Sequence, residues 1–213
     1  MDEESVKKTG TTTVGLNCGD GLVLCADKRV TAGYLIANKK FQKIMQLSDN
    51  IITTVAGTVS DVQLLVRLMR AEIKLKEIHT SRTILVREAV SLLANLVFNN
   101  IRRFSIIPGL THFIVGGKDQ YGFLLVDVGA DGSTTTIDDY TSSGSGSVMA
   151  YGVLETLYRP GLSVAEAVKI GAKAINAAVQ RDIATGNGID IMTVTKEGVK
   201  LHLTKEIDMN LHI

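Results

Sequence analysis

Thr11-Thr12-Thr13-Val14-Gly15-Leu16-Asn17-Cys18, followed by Gly19-Asp20-Gly21 and then Leu22-Val23-Leu24-Cys25-Ala26, sets the architecture of the chain. Val14 and Leu16 alternate with smaller or polar residues, a glycine-rich turn interrupts, and a short apolar run answers. That pattern predicts a β-hairpin. A strict two-residue loop at Asp20-Gly21 sets Asp27 opposite Val14, away from the Thr11 side chain.

Working outward, Phe41 to Leu47 and Ile51 to Ala56 read as further strands, the second ending at Gly57. From Ser60 the period changes: Val62, Leu65, Val66, Met69 and Ile73 recur at helical steps. Leu93, Leu96, Val97 and Ile101 stripe a second helix that Pro108-Gly109 ends. His112 to Gly117, Gly122 to Val128 and Ser133 to Ile137 read as strands. Ser143-Gly144-Ser145-Gly146-Ser147 is a small-residue loop feeding a short helix through Leu157, closed by Arg159-Pro160-Gly161. Ser163 and Glu166 form a capping-box signature ahead of an apolar face (Val164, Ala167, Val168, Gly171, Ile175, Ala178, Val179), with Gly186 as its expected stop. Ile189 to Thr195 and Val199 to Thr204 are the last strands.

The order is strands, two helices, strands, two helices, strands. Strict βαβα alternation would indicate a parallel doubly wound sheet; this order predicts a layered α+β sandwich. At 213 residues with 45% hydrophobic content, one core is expected. Lys plus Arg number 23 against 22 Asp plus Glu, so no strong field gathers nucleic acid or an anionic membrane. The polar N-terminus carries no secretory apolar core and no apolar run reaches the roughly 20 residues that span a bilayer, which predicts a cytoplasmic protein. Cys18 and Cys25 fit neither a disulfide framework nor a zinc spacing and read as buried thiols.

The familiar catalytic signatures are missing: no Walker A loop, no His-Glu-x-x-His, no Gly-x-Ser-x-Gly, no Cys-x-x-Cys. His79, His112, His202 and His212 are scattered, none beside a second ligand. Gly144-x-Gly146 lacks the third glycine of a dinucleotide loop. What stands out is a charged tail ending in Gly10-Thr11-Thr12-Thr13-Val14-Gly15, where an apolar strand begins.

That hexapeptide, with Ala26-Asp27-Lys28-Arg29, Lys39-Lys40-Phe41-Gln42-Lys43-Ile44 and Val55-Ala56-Gly57-Thr58, resembles the successive motifs of archaeal-type proteasome β subunits. Gly144-Ser145-Gly146-Ser147, Ala150-Tyr151-Gly152-Val153-Leu154 and Arg181-Asp182-Ile183-Ala184-Thr185-Gly186 are similar to the later site motifs of that family. The match is collinear and spans nearly the whole chain. The resemblance implies an N-terminal-nucleophile hydrolase with a four-layer αββα sandwich. It also implies a threonine endopeptidase that cuts itself between Gly10 and Thr11, so that residues 1–10 are a propeptide and residues 11–213 a single catalytic domain.

A threonine hydroxyl is a poor nucleophile without a base, and a free α-amine on the same residue is a base already in position. By resemblance Thr11 is that nucleophile, Lys43 the neighbouring cation, Asp27 the acid that orients the lysine, and Gly57 the backbone donor to the oxyanion. Ser145, Asp182 and Thr185 are the implied supporting groups, although serine is more usual than threonine at the last. Val30, Thr31, Met45, Val55 and Val59 are the implied substrate-binding positions; the apolar ones among them predict cleavage after large hydrophobic residues. The resemblance further implies no metal or organic cofactor, assembly with α subunits and other β subunits as stacked seven-membered rings, and a regulatory unfolding ATPase that feeds unfolded polypeptides.

Overall fold

The computed structural model describes residues 10–106 and 108–207. Residues 1–9 of the expected propeptide, and His212, lie outside the described residues. The chain opens with β1 (Thr13–Cys18) and β2 (Gly21–Asp27), an antiparallel hairpin in which Thr13 faces Ala26 and Cys18 faces Gly21. The loop is therefore Gly19-Asp20 and not Asp20-Gly21. That register sets Asp27 beside Thr12, where its N–H donates to the Thr12 carbonyl at 3.1 Å.

A short hairpin follows, β3 (Val30–Ala32) and β4 (Leu35–Asn38), which the periodicity does not reveal because its side chains are largely exposed. Then come β5 (Ile44–Ser48), β6 (Ile51–Gly57), helices α1 (Val59–Thr80) and α2 (Val86–Arg102), and strands β7 (Thr111–Asp119), β8 (Gly122–Val128), β9 (Thr134–Thr136) and β10 (Tyr140–Ser143). The chain closes with α3 (Ser147–Leu157), α4 (Val164–Arg181), β11 (Gly188–Thr195) and β12 (Gly198–Glu206). Phe41 and Gln42 precede the strand expected to include them, and α2 ends well before Pro108.

Two five-stranded antiparallel sheets result, in the orders β10-β1-β2-β11-β12 and β5-β6-β7-β8-β9. Strand alternation assigns their faces. In β2, Val23 and Cys25 point to α3 and α4, while Leu22, Leu24 and Ala26 point to the other sheet and meet Ile44, Ile52, Ile114 and Leu125. In β6 and β7, Ile51, Val55, Phe113 and Val115 point the other way, against α1 and α2. Helices, sheet, sheet, helices: this is the α+β sandwich of the N-terminal-nucleophile hydrolase type.

The helical faces are those the periodicity marks. Val62, Leu65, Val66, Met69 and Ile73 of α1 are buried, as are Ala167, Val168, Gly171, Ile175 and Ala178 of α4. The Ser163–Glu166 capping box is present at the start of α4. That helix stops at Arg181, not at Gly186. Cys18 and Cys25 are buried free thiols, and burial pushes both up, Cys18 to about 12, so neither is thiolate at neutral pH. Among the described residues no helix is long and apolar enough to cross a membrane.

Candidate active site

The start of β1 and the end of β2 lie side by side, so Thr11 and Asp27 sit at the same edge of the sandwich, and the segment entering β5 brings Lys43 across to them. Asp27 is fully buried and Lys43 is 2% exposed. Burial on that scale requires a complete set of partners. Asp27 Oδ1 accepts from Lys43 Nζ at 2.8 Å and Thr12 N at 2.9 Å; Oδ2 accepts from Arg29 N at 3.0 Å and Gly186 N at 3.1 Å. The carboxylate thereby fixes the lysine, the residue after Thr11 and the loop that follows α4.

Lys43 Nζ has three acceptors, matching its three N–H groups. Besides Asp27 they are Thr11 Oγ1 at 3.0 Å and the Gly10 carbonyl oxygen at 3.3 Å. The Thr11 hydroxyl in turn donates to that carbonyl at 2.6 Å. Burial pushes the Lys43 ammonium below its ordinary proton affinity, while Asp27 pulls the other way. A lysine so poised holds a positive charge against the hydroxyl yet gives up a proton more readily than one in water.

On the other side of Thr11, its N–H donates to Ser145 Oγ at 3.3 Å, and Ser145 Oγ donates to Asp182 Oδ2 at 2.6 Å. The Thr185 hydroxyl donates to the same oxygen at 2.5 Å and therefore accepts from the Thr12 hydroxyl, 2.7 Å away. Asp182 is the residue just past α4. Its bonds to Ser145 and Thr185 draw the chain out of the helix four residues ahead of the glycine. The Gly144-Ser145-Gly146 loop hugs Thr11: Gly146 N donates to the Thr11 carbonyl at 3.3 Å, at the N-terminus of α3, and Gly144 has φ +92 with no room for a Cβ beside that carbonyl.

A small open cleft lies against Thr11. Val30, Phe41, Val55, Val59 and Val62 form its apolar wall, with Gly10, Lys43, Ala56 and Gly57 completing the lining. Of the expected substrate positions, Val30, Val55 and Val59 are here. Thr31 Oγ1 instead accepts from Gly10 N at 3.3 Å. Met45 lies outside this lining, packed against the core beneath α1 and α2. Phe41 and Val62 were not foreseen, because their approach depends on how the β5 entry and α1 fold back. Thr12 and Arg29 were also missed. Arg29 Nη1 donates to the Ile183 carbonyl at 2.7 Å and Nε to Asn187 Oδ1 at 2.8 Å, clasping the loop after α4. Its place two residues after Asp27 is the only sequence signal for that role.

His112 lies apart, on β7. Its Nε2 sits 2.5 Å from Asp127 Oδ1, and Asp127 Oδ2 accepts from Thr141 Oγ1 at 3.0 Å, joining the two sheets.

A family model described as "Proteasome subunit" matches residues 7–194. The chain is 43% identical over 207 residues to "Proteasome subunit beta" of Methanoregula boonei, covering 93% of this chain and 95% of that one. It is 44% identical over 196 residues to "Proteasome subunit beta 2" of Aeropyrum pernix, covering 92% and 87%. With "Proteasome subunit beta" of Archaeoglobus fulgidus the identity is 39% over 211 residues, covering 99% and 97%. Matches of this strength, running through nearly the whole chain, mean that the chain belongs to the proteasome subunit family.

Proposed function

We propose that this chain is a proteolytic β subunit of a proteasome core, a threonine endopeptidase that activates itself by cutting between Gly10 and Thr11. The observation that carries the proposal is the position of the Thr11 hydroxyl, held between the Lys43 ammonium and the carbonyl of the peptide bond to be cut. In self-cleavage the Thr11 oxygen bonds to the Gly10 carbonyl carbon and the oxyanion forms on an oxygen that Lys43 already contacts. The Gly10–Thr11 C–N bond then breaks, the hydroxyl proton passes to the departing nitrogen, and an ester remains. Water splits the ester, leaving a carboxylate on Gly10 and restoring the hydroxyl.

The freed nitrogen of Thr11 is now an amine, with a reference pKa of about 7.7–8.0. It stands beside Ser145, whose hydroxyl leads to Asp182 and, through it, to Thr185. The amine takes the Thr11 proton, the Thr11 oxygen bonds to a substrate carbonyl carbon, the C–N bond breaks as the departing substrate amine receives that proton, and water splits the ester left on Thr11, releasing the acid and restoring the hydroxyl. Lys43, oriented by Asp27, keeps a positive charge at the nucleophile, and Gly57 at the mouth of the cleft offers its backbone N–H to the oxyanion. The valine-lined cleft favours cleavage after large hydrophobic residues. The subunit works in rings of β subunits stacked with α subunits in the cytoplasm, on unfolded polypeptides fed by a regulatory ATPase.

The test is an intact mass after co-expression with an α subunit, paired with hydrolysis of a peptide ending in a large hydrophobic residue. Wild type should lose residues 1–10 and hydrolyse the peptide, while Thr11→Ala stays full length and inert. If the Thr11→Ala chain is trimmed at the same bond, another group does the cutting.

A further inference from the structure

Gly10 is held at both of its polar groups: its N–H by Thr31, its carbonyl by Thr11 and Lys43. In that pose a Cβ on residue 10 would fall on the Cβ of Ala184, with the Ala184 Cα only 2.8 Å away. The direction matters. Gly10 borders the apolar cleft, yet a side chain built on it points away from the valines and into the loop after α4.

The loop has little freedom to retreat. Ahead of Ala184, the Ile183 carbonyl is held by Arg29; behind it, Gly186 donates to Asp27 and accepts from Lys28 N at 3.2 Å. Ala184 N itself donates to Asp182 Oδ1 at 3.3 Å. Moving Ala184 therefore means moving Asp182 and Thr185, which support Thr11. A side chain at position 10 must either displace that loop or lift the Gly10 carbonyl from Thr11 and Lys43.

We propose that Ala184 is a specificity-determining residue for self-cleavage, a wall that admits only glycine ahead of the scissile bond. This inference rests on the self-cleavage reading above. One nucleophile then serves two selectivities: glycine against Ala184 when the chain cuts itself, and a large apolar residue in the valine-lined cleft when it cuts a substrate.

The experiment follows loss of residues 1–10 by intact mass over time in assembled particles of wild type, Gly10→Ala, Ala184→Gly and the double variant. In the Ala184 background, Gly10→Ala should slow self-cleavage about 10-fold or more, since displacements near 1 Å cost that much or more in oriented reactions. Measured against Ala184→Gly alone, the same change should cost several-fold less, because the colliding Cβ is gone and a glycine backbone yields. Per chain cut, Gly10→Ala particles should hydrolyse peptides at the wild-type rate, which a folding defect would not permit. An equal penalty in both backgrounds, or none in either, overturns the role of Ala184 and leaves self-cleavage standing. Wild-type particles that stay full length overturn both.

Discussion

Thr185 occupies a position where the resemblance leads one to expect serine, and it carries one methyl more. In the folded chain that hydroxyl bridges Asp182 and Thr12, and the side chain is fully buried. The two bonds select the rotamer, and the methyl fills interior space. Thr185→Ser should accordingly leave peptide hydrolysis near the wild-type rate and cost at most about 1 kcal/mol from lost packing. Thr185→Val keeps the shape and removes the hydroxyl, leaving the Thr12 hydroxyl without its acceptor, at a cost of about 1–3 kcal/mol. Thermal unfolding and peptide hydrolysis on the pair check this: equal behaviour of the serine and valine variants would mean that the hydroxyl has no part.

Among the elements, α2 starts at an N-cap residue, Leu85, that has no side-chain oxygen to offer; Asp119 of β7 accepts from Val86 N at 2.8 Å instead. Glu88 compensates from within the first turn. Its Oε2 accepts from Leu85 N at 3.0 Å, Arg82 grips both oxygens at 2.7 and 2.9 Å, and Lys76 of α1 approaches Oε1 at 3.0 Å. The Arg82 contact chiefly, with the Leu85 and Lys76 contacts, holds its carboxyl down at about 2, against an ordinary 4.5. A folded value below the unfolded one means stability that is fully present above about pH 4.5 and drains away as pH falls toward 2. The carboxylate is partly exposed and screened, so Glu88→Gln should cost only about 1 kcal/mol at pH 7, and the gap to wild type should close near pH 2. Denaturant titrations at the two pH values test it; a gap independent of pH would assign the effect to shape and not charge. The early end of α4 carries a related lesson. A glycine four residues on is a sound local stop signal, but Asp182 is taken up by Ser145 and Thr185 before the helix reaches it.

For the whole molecule, Gly57 is where distant parts of the chain meet. It ends β6, borders the cleft, and has φ +116, while a Cβ there would strike the Leu110 carbonyl, which arrives from the connection between α2 and β7. Backbone strain and steric conflict therefore coincide. Gly57→Ala should destabilise the fold by about 1–3 kcal/mol and lower the melting temperature by several degrees. It should also slow self-cleavage, because the mouth of the cleft shifts with β6. Scanning calorimetry together with intact mass measures both, and an unchanged melting temperature with normal processing would show that Leu110 yields freely.

The long strands, the buried faces of α1 and α4 and a layered α+β sandwich were legible in the chain itself, because helix and strand periodicities are local and every apolar stripe must find a layer to cover it; the αββα order came from the resemblance, and the short strands β3, β4 and β10 from neither. The motifs that resemble proteasome β subunits also marked Thr11, Asp27 and Lys43 before any geometry was known. The tertiary structure alone decided the rest. The Gly19-Asp20 loop put Asp27 beside Thr12; the folding back of α1 and the β5 entry added Val62 and Phe41 to the cleft; and Arg29 found its partners in a loop more than 150 residues away. Contacts such as Thr12 to Thr185, separated by 173 residues, follow from the pairing of β11 with β2, which brings the loop after α4 back to the entrance of β1. No periodicity along the chain records that, because the partners of a buried polar group are chosen by proximity in space.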